Sequence, residues 1–266
     1  MKQYRVLHYP GSKWRLANWI IDHMPDHKTY LEPFFGSGAI LFNKPRTKVE
    51  TVNDIDGEVV NLFKVIREKS EEFTYLINYT PYAREEYDNS YDEANHDVER
   101  ARRFLTRCWQ SIGGKTSDKT GWRSIIDPNG PYPPKDFDNL PRRVIEVAER
   151  LKNVQIENQD FEQLLERYRR PEVLIYADPP YLSQTRTNRH YKYEMSEYEH
   201  EILLDYLNDH PGPVLLSGYE HHIYNHYLSE WKKETMSSNS EAGAKKKEVL
   251  WINPVAAEHI YGLRLC

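Results

Sequence analysis

The run Val173-Leu174-Ile175-Tyr176-Ala177 stops at Asp178-Pro179-Pro180-Tyr181, and this boundary constrains the fold more than any other part of the chain. An unbroken apolar run of this kind reads as a buried strand. Two consecutive prolines cannot continue a ladder, so the strand ends there and presents an acid and an aromatic at its carboxyl end. In open α/β sheets, ligands bind at that edge. A rigid turn offering a carboxylate, a carbonyl and a flat ring suits a planar amino group.

At 266 residues the chain can form one elaborated domain, or one domain with an inserted lobe. No apolar run approaches a membrane span and the N-terminus has no signal-peptide core, so a soluble, cytoplasmic protein is expected. Cys108 and Cys266 make neither a disulfide framework nor a zinc site, and no metal is implied. A net charge of −5 gives no general attraction for nucleic acid, but local charge decides binding. Arg100, Arg102, Arg103, Arg107, Lys115, Lys119 and Arg123 follow one another with only Asp118 against them. Tyrosines beside such cations fit stacking on bases; a solvated surface has the same composition.

Alternating signals run through the first part of the chain. Lys13 to Met24 carries apolar residues at helical spacing, and Thr29 to Pro33 reads as a short strand. Gly36-Ser37-Gly38 opens a helix, Lys48 to Asn53 is the next strand, and Val59, Leu62, Phe63 and Ile66 mark another helix. From about Phe73 to Pro141 this alternation lapses. There Val98, Ala101, Leu105 and Cys108 form a helical stripe with Arg100, Arg103 and Arg107 roughly opposite. A Gly-rich loop and a proline-rich stretch follow. Strands at Val154 to Ile156, before Asp178, and at Val214 to Leu216 resume the pattern, which ends near Val249 to Ile252. The expected architecture is a doubly wound α/β domain interrupted by a mostly helical lobe.

Phe35-Gly36-Ser37-Gly38 follows a strand and precedes a helix, the context a cofactor glycine loop requires. Asp54, at the end of the second strand, is placed to accept ribose hydroxyls. Leu41 replaces the third glycine of a dinucleotide fingerprint, which favours a nucleoside cofactor without a pyrophosphate. Gly114-Lys115-Thr116 lacks the first glycine of a P-loop, where Trp109 stands.

Tyr9-Pro10-Gly11-Ser12-Lys13, Glu32 to Gly38, Asn53-Asp54-Ile55-Asp56 and Asp178-Pro179-Pro180-Tyr181 occur in this order. Together they resemble the Dam-like adenine-specific DNA methyltransferases, with weaker echoes at Asn158 to Phe161, Leu215 to Tyr219 and Glu248 to Asn253. The resemblance implies a Rossmann-like sheet using S-adenosylmethionine, with residues 1–72 and 142–266 as catalytic domain. It implies a mainly helical target-recognition lobe at 73–141. Carried over, Tyr9 and Lys13 would meet the methionine end of the cofactor, Gly36 and Gly38 would let the backbone pass close, and Asp54 would hold the ribose. Asp160 would accept from the cofactor's adenine amino group with Phe161 against its ring, and Asp178 would border the same site.

Asp178 and the Pro179 carbonyl are then the acceptors for the two hydrogens of adenine N6, and Tyr181 the stacking ring. Neither cysteine follows a proline as a cytosine-ring enzyme requires; Cys108 follows Arg107 and Cys266 is last. The target base must be flipped from double-stranded DNA. Candidate contacts are Arg100, Arg103, Arg107, Lys115, Lys119 and Arg123, with Arg186, Arg189 and Lys192 on a loop after the motif. Rival readings are RNA adenine, cytosine N4 or a protein amide as acceptor, or a non-catalytic nucleic-acid binder. Gly121 to Tyr132 departs from the pattern of GATC-reading relatives, so that target is not supported. Phage self-protection, restriction-modification and epigenetic marking would share this chemistry.

Overall fold

A computed structural model describes residues 4–114, 116–182, 191–239 and 245–262. Its centre is a seven-stranded sheet: β1 (Thr29–Glu32), β2 (Val49–Asn53), β3 (Val154–Glu157), β4 (Val173–Ala177), β5 (Val214–Gly218), β6 (Lys232–Asn239) and β7 (Lys245–Ile252). The spatial order is β3-β2-β1-β4-β5-β7-β6. Pairing is parallel from β3 through β5, while β7 runs antiparallel to both β5 and β6. The chain builds outward from β1 to β3, then returns to lay β4 on the other side of β1. That reversal leaves a crevice at the carboxyl ends of β1 and β4, where open α/β sheets take their ligands.

Helices flank this sheet: α1 (Ala17–Asp22), α2 (Ala39–Asn43), α3 (Gly57–Glu68), α4 (Ser70–Asn78), α5 (Arg84–Asn89), α6 (Asp97–Gln110), α7 (Pro133–Asp138), α8 (Leu140–Leu151), α9 (Phe161–Arg167), α10 (Glu197–Asn208), α11 (His222–Tyr227) and α12 (Pro254–Tyr261). Strand alternation divides the core in two. Tyr30, Val52, Leu174, Tyr176 and Leu215 face one layer with α1–α4, α6 and α8; Leu31, Val173, Ile175, Ala177 and Leu216 face the other with α9–α11. Burial of both faces is why β4 reads as continuously apolar.

Phe73, Ile77, Phe104, Leu105, Trp109 and Phe137 continue the first layer, so the helices of 73–141 pack directly on the sheet domain. The arginines of α6 are tied into that packing. Arg100 meets Glu58 of α3 at 2.6 Å, Arg103 meets Glu99 at 2.7 Å, and Arg102 pairs with both Glu99 and Glu86 of α5.

The first helix is shorter than its apolar spacing predicts, because Lys13 to Leu16 form a turn ahead of it. Several elements carry no assignment from the sequence pattern, α10 and β6 among them. Helix α10 begins with a Ser196/Glu199 capping box, a signal that marks a helix start. Strand β6 is an edge strand rich in lysine and serine, a composition that blunts open edges and hides the strand pattern.

Candidate active site

The loop after β1 turns through two glycines in the left-handed region, Gly36 at φ +48° and Gly38 at φ +69°. A Cβ on Gly38 would stand 2.3 Å from the Phe42 ring and 2.6 Å from that of Phe35, so a side chain is excluded by space as well as by conformation. The Gly36 N–H donates to Asp54 Oδ2 at 2.8 Å, and the Asp56 N–H to Asp54 Oδ1 at 2.9 Å. Burial lifts the Asp54 carboxyl to about 7, against these two backbone donors that favour the charged form. Asn53, itself buried, stitches three loops together. Its Nδ2 donates to the carbonyls of Pro33 and Gln159, and its Oδ1 accepts from the Gln159 N–H, each at 3.0 Å. Asp160 caps α9 through the Glu162 N–H, and Phe161 lies against Phe34 with ring centroids 5.8 Å apart.

Asp178 follows β4 on the opposite side of β1. Its Oδ1 takes the Ser217 hydroxyl at 3.0 Å and faces the Lys13 ammonium at 3.1 Å; Ser217 in turn bonds Tyr176. Lys13 also lies 3.3 Å from Glu248 of β7, which accepts the Tyr181 hydroxyl. Burial pushes the Asp178 carboxyl up; Lys13 pulls it down, Glu248 pushes it up again, and Ser217 favours the charged form. Lys13 is itself held above its ordinary value, because the two carboxylates outweigh its desolvation. Glu32, at the end of β1, is raised to about 8 by burial, even though Tyr30 donates to it at 2.8 Å.

One cavity of about 170 Å³ joins Lys13, Glu32, Asp54 and Asp178 along the sheet edge. Of the residues singled out in the sequence, Tyr9, Lys13, Gly36, Asp54, Asp160, Phe161 and Asp178 line it; Gly38, Pro179 and Tyr181 do not. The Tyr181 ring has the Lys13 ammonium 4.6 Å from its centroid and Tyr219 against it edge-on. Tyr191, Tyr193 and Glu194 close the cavity from the far side, with the Tyr191 hydroxyl donating to the Pro10 carbonyl at 3.2 Å. Glu32, Asn53, Ser217 and Glu248 were not assigned roles from sequence, though each stands inside or beside a quoted motif.

The basic residues divide. Arg103 also donates to the carbonyls of Asn89, Asp92 and Glu93, and Arg107 to that of Ser90, so both brace the chain ahead of α6. Lys119 pairs with Asp88 at 2.8 Å and stays half exposed. The Arg123 guanidinium has no acid partner among the described residues. Lys192 is exposed beside Tyr193, and its N–H donates to Thr116 at 3.3 Å. Lys115, Arg186 and Arg189 lie outside the described residues, as does most of the loop that carries the last two.

A parallel sheet with an antiparallel final hairpin, a glycine loop after β1 and an acid-Pro-Pro-Tyr turn after β4 together define a Rossmann-like methyltransferase. A family profile narrows this class, matching residues 9–241. The chain belongs to the D12 class N6 adenine-specific DNA methyltransferase family. Similar proteins include type II methyltransferase M.MjaIII of Methanocaldococcus jannaschii, 26% identical over 227 residues, which span 72% of this chain and 74% of the relative. Type II methyltransferase M1.LlaDCHI of Lactococcus lactis subsp. cremoris is 28% identical over 215 residues, spanning 74% and 72%. The DNA adenine methylase of Escherichia coli is 22% identical over 269 residues, spanning 93% and 94%. No helix among the described residues is long and apolar enough to cross a membrane.

Proposed function

We propose that this chain transfers a methyl group from S-adenosylmethionine to N6 of an adenine flipped out of double-stranded DNA at a specific sequence. The observation that carries the reading is the sharing of one cavity by Asp178, Lys13 and the Gly36–Asp54 loops. The cavity suits the cofactor chemically. Phe34 and Phe161 offer apolar walls beside Asp160 for a nucleobase, Asp54 offers a carboxylate for hydroxyl donors, and Lys13 offers a cation for a carboxylate. S-adenosylmethionine, when bound, supplies an electrophilic methyl on a sulfonium.

The N6 lone pair of adenine is delocalised into the ring, so the amino group is a weak nucleophile. Acceptors on its two hydrogens favour a tetrahedral nitrogen with a freer lone pair. Asp178 and the Pro179 carbonyl take that role, fixed in place by the proline pair. Among the described residues both contacts of the Asp178 carboxylate fall on Oδ1, which leaves Oδ2 for N6–H. Tyr181 supplies the ring for the base. In this reading residues 73–141 form the target-recognition lobe. Arg123 is the first candidate for phosphate contact, followed by Lys119 and Lys192 at exposed positions, while Arg100, Arg103 and Arg107 act first through their partners within the chain.

The test is methyl transfer from labelled cofactor to unmethylated genomic DNA, with the modified base and its flanking sequence read out. N6-methyladenine in one short context is expected. Label in RNA or protein with none in DNA would refute the reading.

A further inference from the structure

Lys13 needs one carboxylate for neutrality, and Asp178 at 3.1 Å supplies it. The structure nevertheless buries a second, Glu248, only 3% exposed, 3.3 Å from the same ammonium. An extra buried carboxylate is costly unless it is paired and hydrogen-bonded. Glu248 is both: its Oε1 faces Lys13 and accepts the Tyr181 hydroxyl. It stands on β7 opposite Met236 of β6, in a ribbon that extends past the last paired residue of β5, Gly218, over the catalytic edge. Both groups it touches belong to the site, one the neighbour of the reacting acid and one the aromatic of the Asp-Pro-Pro-Tyr turn.

We infer that Glu248 is a positioning residue for methyl transfer: it fixes the Tyr181 ring through its hydroxyl and draws the Lys13 ammonium partly away from Asp178. The inference rests on the adenine-N6 reading above. A hydrogen bond from a phenol to an ionised carboxylate is about twice as strong as a neutral one, and it holds the ring in one plane. Sharing Lys13 between two acids keeps the ammonium from closing tightly on Asp178, so that this carboxylate can accept from the base. A carboxylate serving only to balance charge would not need the Tyr181 hydroxyl.

The experiment is a double-mutant cycle with Glu248→Gln and Tyr181→Phe. It is read as kcat and KM for DNA methylation, as S-adenosylmethionine affinity by calorimetry, and as melting temperature. Glu248→Gln keeps shape and an acceptor but removes the charge; Tyr181→Phe keeps the ring but removes the hydroxyl. Glu248→Gln is expected to lower kcat about 10- to 100-fold with KM and cofactor affinity changed less than about 3-fold. Tyr181→Phe should cost markedly less in the Glu248→Gln background than in the wild type. A kcat within about 2-fold of wild type, additive effects, or a cofactor affinity lost more than about 10-fold would each overturn the role. Should Glu248→Gln fail to fold, Tyr181→Phe decides alone, and an unchanged kcat overturns the proposal. Wild-type protein that methylates no DNA would refute the adenine reading itself, whereas an active wild type with an equally active Glu248→Gln would refute only this inference.

Discussion

Replacing Asp54 with asparagine should stabilise the cofactor-free protein above pH 7 and destabilise it near pH 4. Asp54 is 8% exposed, and burial lifts its carboxyl from 3.8 to about 7. Below 3.8 the group is protonated in folded and unfolded chains alike and contributes nothing. Between about 4 and about 7 the unfolded chain ionises while the folded one keeps its proton, so stability falls as pH rises. Above about 7 the loss is complete, and a rise of this size corresponds to roughly 4 kcal/mol. Asparagine escapes that loss. It also has a single acceptor oxygen for the Gly36 and Asp56 N–H groups, and a buried donor left unsatisfied costs about 1–3 kcal/mol. The balance is a gain of about 1–3 kcal/mol above pH 7 and a loss of similar size near pH 4. Urea unfolding of both proteins at the two pH values, without cofactor, measures it. Calorimetry should show weaker cofactor binding by the variant at every pH. A stability difference that stays constant between the two pH values would refute the reasoning.

Asp178→Asn should lower kcat by about 10²–10³-fold while the melting temperature holds or rises, since a buried charge is removed; turnover within a few-fold of wild type would sink the proposed acceptor role. Lys13→Gln should move the acid limb of the kcat–pH profile upward at saturating cofactor, because losing the cation lets burial push the Asp178 carboxyl higher, and stability should fall by about 3–5 kcal/mol. An unmoved acid limb would argue that Asp178 does not act as the ionised acceptor. Gly38→Ala should cost more than about 2 kcal/mol in chemical denaturation, since the new methyl meets both the Phe35 and Phe42 rings at a left-handed φ; a neutral result would mean the loop is not fixed as described.

The sheet was legible where burial writes itself into sequence. β4 is apolar at every position because helices cover both faces, and the prolines mark its end without ambiguity. The glycine loop and Asp54 were legible because a tight turn and a strand-end acid each have local signatures. Strand β6 was not, since an edge strand faces solvent along one side and carries Lys and Ser where an inner strand carries Val and Leu. The arginine face of α6 was legible as a periodicity but not as an interaction. Glu58 comes from α3 and Glu86 from α5, and neither is near Arg100 or Arg102 in sequence. A run of cations therefore becomes a candidate DNA surface only after the acids folded against it are subtracted, and that leaves Arg123 ahead of its neighbours.

The same distinction separates the two halves of the site. On the glycine-loop side, Asn53 ties the loops after β1 and β3 with carboxamide–backbone bonds, a pattern that any Asn at a strand end could make and that only the parallel order β3-β2-β1 calls into use. On the β4 side, Asp178, Lys13, Glu248 and Tyr181 are drawn from the chain's first loop, the β4 exit and β7, and charge holds them together. Lys13 belongs to both halves, since the loop that carries it also contributes Tyr9, Pro10 and Gly11 to the cavity. A cation shared in this way couples the occupancy of one half to the electrostatics of the other. An anionic group entering the cavity at Lys13 would compete with Asp178 and Glu248 for the same ammonium.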